Sequence, residues 1–508
     1  MCAANPVCIL WDASHIWGLM VWRALCALGL PCRLVKGQDI ANGALFRKPC
    51  PQGTPGKAQE AAPLLLVPGG NARLKARALG EKGRQAVRDY LAGGGRYLGF
   101  CGGAGLALSQ HRSQDGLGLC PWGRAPYPER LHHLISGHAH MRVRSCMARD
   151  LPAVRPDFPK ACPDGAAPDP LRPPLGDEAC ALVPPHWRGC AHGHDDDCRH
   201  CSNCRPPRED GHVPSLPVWW PGRFAPEADE RVSILASYRQ PDTDFWLADL
   251  PLSRIPAPVF EAWKDLYGVN VSADFLDGQP LMVAGNYGRG RYVLSYSHLE
   301  TPDSPDANAW LAHLLRALAG LAPQRALAGL APQRELVPAW DLHRKAAFRW
   351  PETPQTAPLR TLLHGMRALL DLGVEHNLFF ERTPWLWGWR PGLPGAVCNN
   401  LYSSLRVLCG LRPGPDTLAA WDGMRARFAA LTDIFLPGAE GYLLACRLRE
   451  TLSPTMPDAV DRRGLTNQRE ALFGHPMTGG GIVGELLEMT DELLYRGQQE
   501  DACAALDD

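Results

Sequence analysis

Along the first hundred residues, short runs of consecutive apolar positions alternate with stretches in which apolar residues recur every three or four. The runs 7–11, 32–36, 64–67 and 96–100 are short and bounded by Gly, Pro or polar residues, which predicts buried strands. Between them, Ile16, Met20, Val21, Leu25 and Leu28 share one helical face before Gly29, and residues 81–91 form a second helix closed by Gly93-Gly94-Gly95. Strands alternating with helical crossovers predict an α/β fold, a mostly parallel sheet with helices on both faces.

From 111 to 212 the pattern fades. Twelve prolines fall between Leu151 and Arg208, among acidic and Gly-rich pieces, which predicts an irregular insertion. Sheet-like segments resume at 218–220, 232–238, 281–286 and 292–297. Residues 316–324 are repeated without change at 325–333, and two copies of nine residues are too few for a solenoid. After Pro338 the spacing becomes helical. Leu359, Leu362, Leu363, Met366, Leu369 and Leu370 form one stripe; Leu418, Trp421, Met424, Phe428 and Leu431 form another, capped by Asp416 or Thr417; residues 482–494 give a third. The expected division is therefore 1–110 with 213–310 as one discontinuous domain, 111–212 as the insertion, 311–337 as a duplicated helix or linker, and 338–508 as an all-helical domain. Trp385, Trp387 and Trp389 in the last of these either pack in the core or line a pocket.

Charge narrows the partners. Lys plus Arg number 53 and Asp plus Glu number 53, a formal net charge of zero, so nothing favours a nucleic acid or an acidic membrane. No run of 18 uncharged apolar residues occurs, and the N-terminal residues lack the basic and small-residue pattern of a secretory signal. A cytoplasmic location follows as the expectation. The 18 cysteines are then expected to be buried, metal-bound or catalytic rather than paired as disulfides.

One cysteine stands apart. Gly99-Phe100-Cys101-Gly102-Gly103 has the form G-x-C-x-G directly after a predicted strand and before a helix, the context a nucleophile elbow requires. Flanking glycines permit the tight turn, and a thiol at the start of a helix is favoured as thiolate. Ser297-His298-Leu299-Glu300, at the end of another predicted strand, supplies a partner: His298 as the base and Glu300 to orient it. Backbone N–H groups of Gly70 and Gly102 are candidates for an oxyanion hole. Asp12 and His15 follow the first strand at the same sheet edge, and either line the pocket or, in the case of Asp12 with Ser14, cap the next helix.

Pro68-Gly69-Gly70, the stretch from Gly93 to Phe100, Cys101-Gly102-Gly103-Ala104, and Gly288-Arg289-Gly290 leading to Ser297-His298-Leu299-Glu300 resemble class I glutamine amidotransferase-like domains. The resemblance is to the amidotransferase-like N-terminal domain of fungal-type biotin-protein ligases in particular. It covers residues 5–110 and 213–305, and it implies a flavodoxin-like core with a Cys101, His298, Glu300 triad. The activity expected is that of a cysteine-nucleophile hydrolase or amidotransferase-like enzyme acting on an amide-type C–N bond of a small molecule or peptide, with no cofactor needed for catalysis. A cysteine peptidase shares this triad. The rival expectation is a binding or scaffolding protein that keeps the fold without catalysis and meets a protein partner through its helical domain. No ligase domain is visible, the Gly288-Arg289-Gly290-Arg291 run reads as a hairpin turn, and no biotin ligase activity is expected.

A second cysteine cluster lies in the insertion. Cys198-x-x-Cys201-x-x-Cys204, with Cys190 or one of His192, His194 and His200 as fourth ligand, fits a closed tetrahedral zinc site. An iron–sulfur cluster fits less well, because the usual fourth Cys followed by Pro is missing, and a loop of reduced thiols without metal is the third reading. Cys8, Cys26, Cys32, Cys398, Cys409 and Cys446 stand in apolar surroundings and read as small buried residues.

Overall fold

The computed structural model describes residues 6–46, 63–109, 116–144, 175–187, 213–227, 229, 231–319, 337–475 and 479–500. The chain divides into two compact units, Met1–Asp12 with Met20–Pro338, and Ala13–Leu19 with Ala339–Asp508.

The chain begins with β1 (Val7–Leu10), α1 (His15–Ala27), β2 (Cys32–Val35), α2 (Gly37–Ala41), β3 (Leu65–Val67), α3 (Ala72–Ala92), β4 (Arg96–Phe100) and α4 (Gly102–Ala107). Helix α3 starts earlier than its apolar spacing predicts, on an Asn71 cap whose side chain accepts from the Arg73 and Leu74 N–H groups, and it kinks at Gly80 (φ +58°). The chain continues through β5 (Gly123–Arg124), β6 (Ile135–Val143), β7 (Ser215–Trp219), β8 (Phe224–Ala225), β9 (Val232–Pro241), β10 (Trp246–Leu247) and β11 (Leu250–Pro251). It ends in α5 (Ala257–Tyr267), β12 (Pro280–Tyr287), β13 (Gly290–Ser295) and α6 (Pro305–Ala319).

These strands build a mixed sheet. Its order is β11-β10-β6-β9-β12-β13-β4-β3-β1-β2, with β7 on β6. The pairs β2–β1, β1–β3, β3–β4 and β4–β13 are parallel. Beyond β13 the pairing turns antiparallel, starting with the β12–β13 hairpin that closes at Tyr287 and Gly290. Strands β1 and β3 are buried at every position, as strands under helices on both faces must be. Trp11 and Trp22 meet edge to face at 6.3 Å in this core.

The insertion departs from expectation. Ile135–Val143, inside the segment read as irregular, is a nine-residue strand of the main sheet, paired with β7, β9 and β10. Its physical reason is visible in hindsight: Ile135, Gly137, Ala139 and Met141 are buried while His138, His140 and Arg142 are not, a period of two hidden by histidines. His138 also joins this strand to its neighbours, with Nδ1 2.6 Å from Asp244 and Nε2 2.9 Å from Ser304 at the start of α6.

The second unit holds α7 (Ala357–Glu375), a hairpin of β14 (Phe379–Thr383) and β15 (Leu386–Trp389), then α8 (Gly395–Gly410), α9 (Pro415–Leu452), α10 (Arg462–Phe473) and α11 (Gly481–Glu500). It is therefore not all-helical: Phe379 pairs with Trp389 and Glu381 with Trp387 across the hairpin. The tryptophans at alternate positions were a strand signal, and Trp385 and Trp387 are buried in the core. The α9 cap is Gly414, without a side-chain hydrogen bond, in place of Asp416 or Thr417. The stripe of α7 is buried as its spacing requires. Trp421 (1% exposed) packs edge to face on Trp350 and Phe428 and donates from its indole to the Gln355 carbonyl. Trp421→Ala is expected to destabilise this unit by about 3–5 kcal/mol, read as an earlier thermal transition by circular dichroism. No described helix is long and apolar enough to cross a membrane.

Candidate active site

The parallel pairing of β4 with β13 builds the site. Phe100 stands opposite Ser295, so the residues that follow the two strands leave the same edge of the sheet together. Cys101 follows β4 directly, and the β13 chain runs on through Tyr296 and Ser297 to His298, Leu299 and Glu300. The Cys101 N–H donates to the Ser295 carbonyl at 2.7 Å and its carbonyl accepts from the Gly105 N–H at 2.8 Å. Held at both ends, Cys101 adopts φ +46° and ψ −102°, a left-handed conformation rare outside glycine.

Glycine is demanded around it by close backbone approach. A Cβ on Gly102 would lie 2.0 Å from the Gly70 carbonyl oxygen, and one on Gly103 2.0 Å from that of Val67. The strand β4, the turn and α4 therefore pack against the end of β3 at backbone contact, closer than any side chain allows. Gly70 (φ +108°) and Gly102 thus stand side by side. The Tyr97 hydroxyl fastens the start of the helix by donating to the Gly103 carbonyl at 2.7 Å.

His298 and Glu300 are fully buried, while Cys101 is partly exposed. His298 Nδ1 lies 2.8 Å from Glu300 Oε1, which turns Nε2 away from the carboxylate, and His298 is near enough to Cys101 to act on its thiol. Asn308 fixes the loop by donating to the carbonyls of Leu299 and Thr301, both at 2.9 Å. The His298 backbone N–H donates to the Pro217 carbonyl of β7.

The electrostatics follow from this packing. Burial by itself holds the Cys101 thiol up, but the hydrogen bond and charge of His298, with Arg124 behind them, outweigh it and bring the thiol below its ordinary value. Burial likewise works against a charged His298, and the Glu300 carboxylate with the Cys101 partner overcomes it, so the imidazole is raised. The two shifts point one way, toward a thiolate–imidazolium pair held in place by a buried carboxylate.

Other expected residues are placed elsewhere. The Asp12 carboxylate accepts from the Gly37 N–H at 2.6 Å at the start of α2, and its carbonyl accepts from the buried Lys75 ammonium, so it braces the first βα loops. His15 lies with the second unit, its Nδ1 3.0 Å from Asp491. Cys8, Cys32, Cys398, Cys409 and Cys446 are buried; burial pushes the thiols of Cys398 and Cys409 up to about 12. The metal candidates Cys190, Cys198, Cys201 and Cys204, with His192, His194 and His200, lie outside the described residues. Among the described residues no group of three His, Cys, Asp or Glu side chains is arranged to hold a metal.

Sequence reading missed Arg124, Tyr127 and Arg223. Arg124 acts electrostatically on the thiol, and it meets Arg223 because β5 pairs with β8, antiparallel, with Arg124 opposite Phe224. No periodicity in the sequence marks this ribbon, since each strand has two residues.

In comparison with known proteins, residues 57–114 match the family described as biotin-protein ligase, N terminal. The match spans β3, α3, β4, the Cys101 turn and α4, and it stops far short of His298. No curated protein matches the chain.

Proposed function

We propose that this chain is a cysteine-nucleophile hydrolase or amidotransferase-like protein that acts on an amide-type C–N bond. The observation that carries the proposal is Cys101 at a strained turn after β4, on the sheet edge where the adjoining β13 chain brings His298, which is itself locked onto buried Glu300. The order β2-β1-β3-β4-β13 in the parallel half supports a flavodoxin-like core of the class I glutamine amidotransferase type, with the thiol at the carboxyl edge where such sheets bind ligands. The family match at the Cys101 turn supports the same reading.

The reaction follows from the geometry. The Cys101 thiolate adds to the carbonyl carbon, and the negative charge moves to the carbonyl oxygen, beside Gly70 and Gly102, whose N–H groups are the candidates to receive it. The C–N bond then breaks, and the imidazolium of His298 gives its proton to the departing nitrogen. An acyl thioester on Cys101 remains. Neutral His298 takes a proton from water, the resulting hydroxide displaces the thiolate, and the acid leaves. Glu300 keeps the ring in one orientation and balances its charge through both halves. The proposal includes no biotin ligation: Gly288-Arg289 is the turn between β12 and β13 that leads into the His298 strand.

Labelling with iodoacetamide at pH 7, followed peptide by peptide, tests it. Cys101 is expected to react at least about 10-fold faster than Cys8, Cys398, Cys409 and Cys446, because only its thiol is lowered and only it opens to solvent among these five. A Cys101 that labels no faster than those four would remove the nucleophile.

A further inference from the structure

The longest helix of the second unit is apolar on two faces. Helix α9 runs for 38 residues and buries Phe428, Leu431, Phe435, Tyr442 and Leu443. A surface helix ordinarily turns polar residues to water on its other side. Here Ile434 is 59% exposed, Leu444 40% and Leu448 51%, and Pro437 and Gly441 between them are exposed as well. Single apolar residues on a surface need no explanation, but these five follow one another at steps of three, four, three and four residues. That is the heptad spacing of a seam that pairs with another helix, about 21 Å long at 1.5 Å per residue.

Gly441 gives the seam a shape. Glycine inside a helix weakens it, and nothing among the described residues lies within 4 Å of where a Cβ on Gly441 would stand. The result is a notch on the open side of α9, one step along the seam from Leu444, a side chain of the size that fills such a notch on a facing helix. Two copies of α9 set antiparallel about a two-fold axis seat each Leu444 on the Gly441 of the other copy, and Pro437 of each meets Leu448 of the other. A parallel pairing sets Gly441 on Gly441 and leaves a void there.

Charge selects the same arrangement. Glu440 and Arg447 immediately precede Gly441 and Leu448, so they flank the seam on one side, seven residues apart and opposite in sign. Glu440 has no ion pair among the described residues, and Arg447 has a loose one to Glu450 at 3.9 Å. In the antiparallel alignment that seats Leu444 on Gly441, Glu440 of one copy falls beside Arg447 of the other, and the two-fold axis makes the contact twice. We infer that the open face of α9 is a self-association surface through which this chain forms an antiparallel dimer, with Leu444 seated on Gly441 and Glu440 paired to Arg447 across the axis. An unrelated partner could cover the apolar seam, but it gives no reason for opposite charges at two positions that a two-fold axis exchanges.

Sedimentation equilibrium of the full chain, from about 1 to 100 µM, tests the dimer. A seam this short makes a small interface, so the wild-type mass is expected to rise from monomer toward dimer with a Kd of about 10 µM. Glu440→Arg sets like charges together in both flanking contacts, and so does Arg447→Glu; each variant alone is expected to weaken the dimer at least about 10-fold. Mixed one to one, the two variants are expected to restore it, because both contacts then join opposite charges, a recovery that a folding defect does not produce. Leu444→Glu, at an exposed position, is expected to remain monomeric throughout. A wild-type chain that stays monomeric at about 100 µM overturns the inference. So does a dimer that neither charge variant weakens, or a mixture that stays monomeric when both variants keep the wild-type circular dichroism.

Discussion

Replacing His298 by alanine is expected to slow iodoacetamide labelling of Cys101 at pH 6 by about 100-fold or more, since burial and the Glu300 carboxylate, which raise the thiol, are then opposed by Arg124 alone. The sign comes from the causes of the two shifts. Burial is the largest influence on Cys101 and pushes its thiol up; the His298 hydrogen bond and charge reverse that, and Arg124 adds the smaller share. In the wild-type protein the labelling rate therefore rises with pH through an inflection below the ordinary thiol value, and in His298→Ala the inflection moves above it. The reactive pair exists between the lowered thiol value and the raised imidazole value. Below that window the thiol is protonated, and above it the imidazolium loses the proton that the leaving nitrogen needs.

Stability must be followed alongside, because Glu300 is fully buried and loses its partner in this variant. Glu300→Gln with His298 intact provides the companion measurement. It keeps the volume and removes the charge that raises the imidazole, so it is expected to bring down the upper, imidazole end of the window. An unchanged pH profile in folded His298→Ala would end the triad interpretation.

Adding one methyl group at Gly103 is expected to be as damaging as any change in the core. Its Cβ would lie 2.0 Å from the Val67 carbonyl oxygen, a backbone atom of β3 with no flexible end to turn aside. The start of α4 would have to lift off the sheet, at a cost of about 3 kcal/mol or more, the upper part of the range for overpacked positions. Cys101, immediately before α4, would move with it. Gly103→Ala is therefore expected both to lower the urea midpoint and to cut Cys101 labelling. Gly105→Ala, two residues along the same helix, meets only the Ala72 methyl at 3.5 Å. It is expected to be neutral or stabilising by up to about 1 kcal/mol, as alanine in a helix is. Equal behaviour of the two variants would show that close backbone approach does not hold the turn.

Much of this site was legible before any coordinates. The β4 run, the glycines that follow it and the pair His298 and Glu300 carry their signals within a few neighbouring residues. Turn chemistry is local, so it survives in the sequence. The strand at Ile135–Val143 was legible in principle, since its alternation is regular, but two histidines and an arginine on the outer face masked it among turn residues. The β14–β15 hairpin is hidden differently: Trp387 and Trp389 stand at alternate positions, a period of two that describes a strand, but the run is short and lies between helical stripes.

What the sequence by itself determined is the parallel βα half and the glycine-flanked turn at Cys101, because apolar period and glycine placement act over distances of a few residues. What only the tertiary structure decided is the company that Cys101 keeps. His298 reaches it because β13 enters the sheet beside β4 after a long excursion of the chain. Arg124 and Arg223 meet through two paired strands of two residues each, too short to leave a pattern. Such neighbours are set by pairing and burial across the fold, and the electrostatics that lower the Cys101 thiol arise from those long-range contacts.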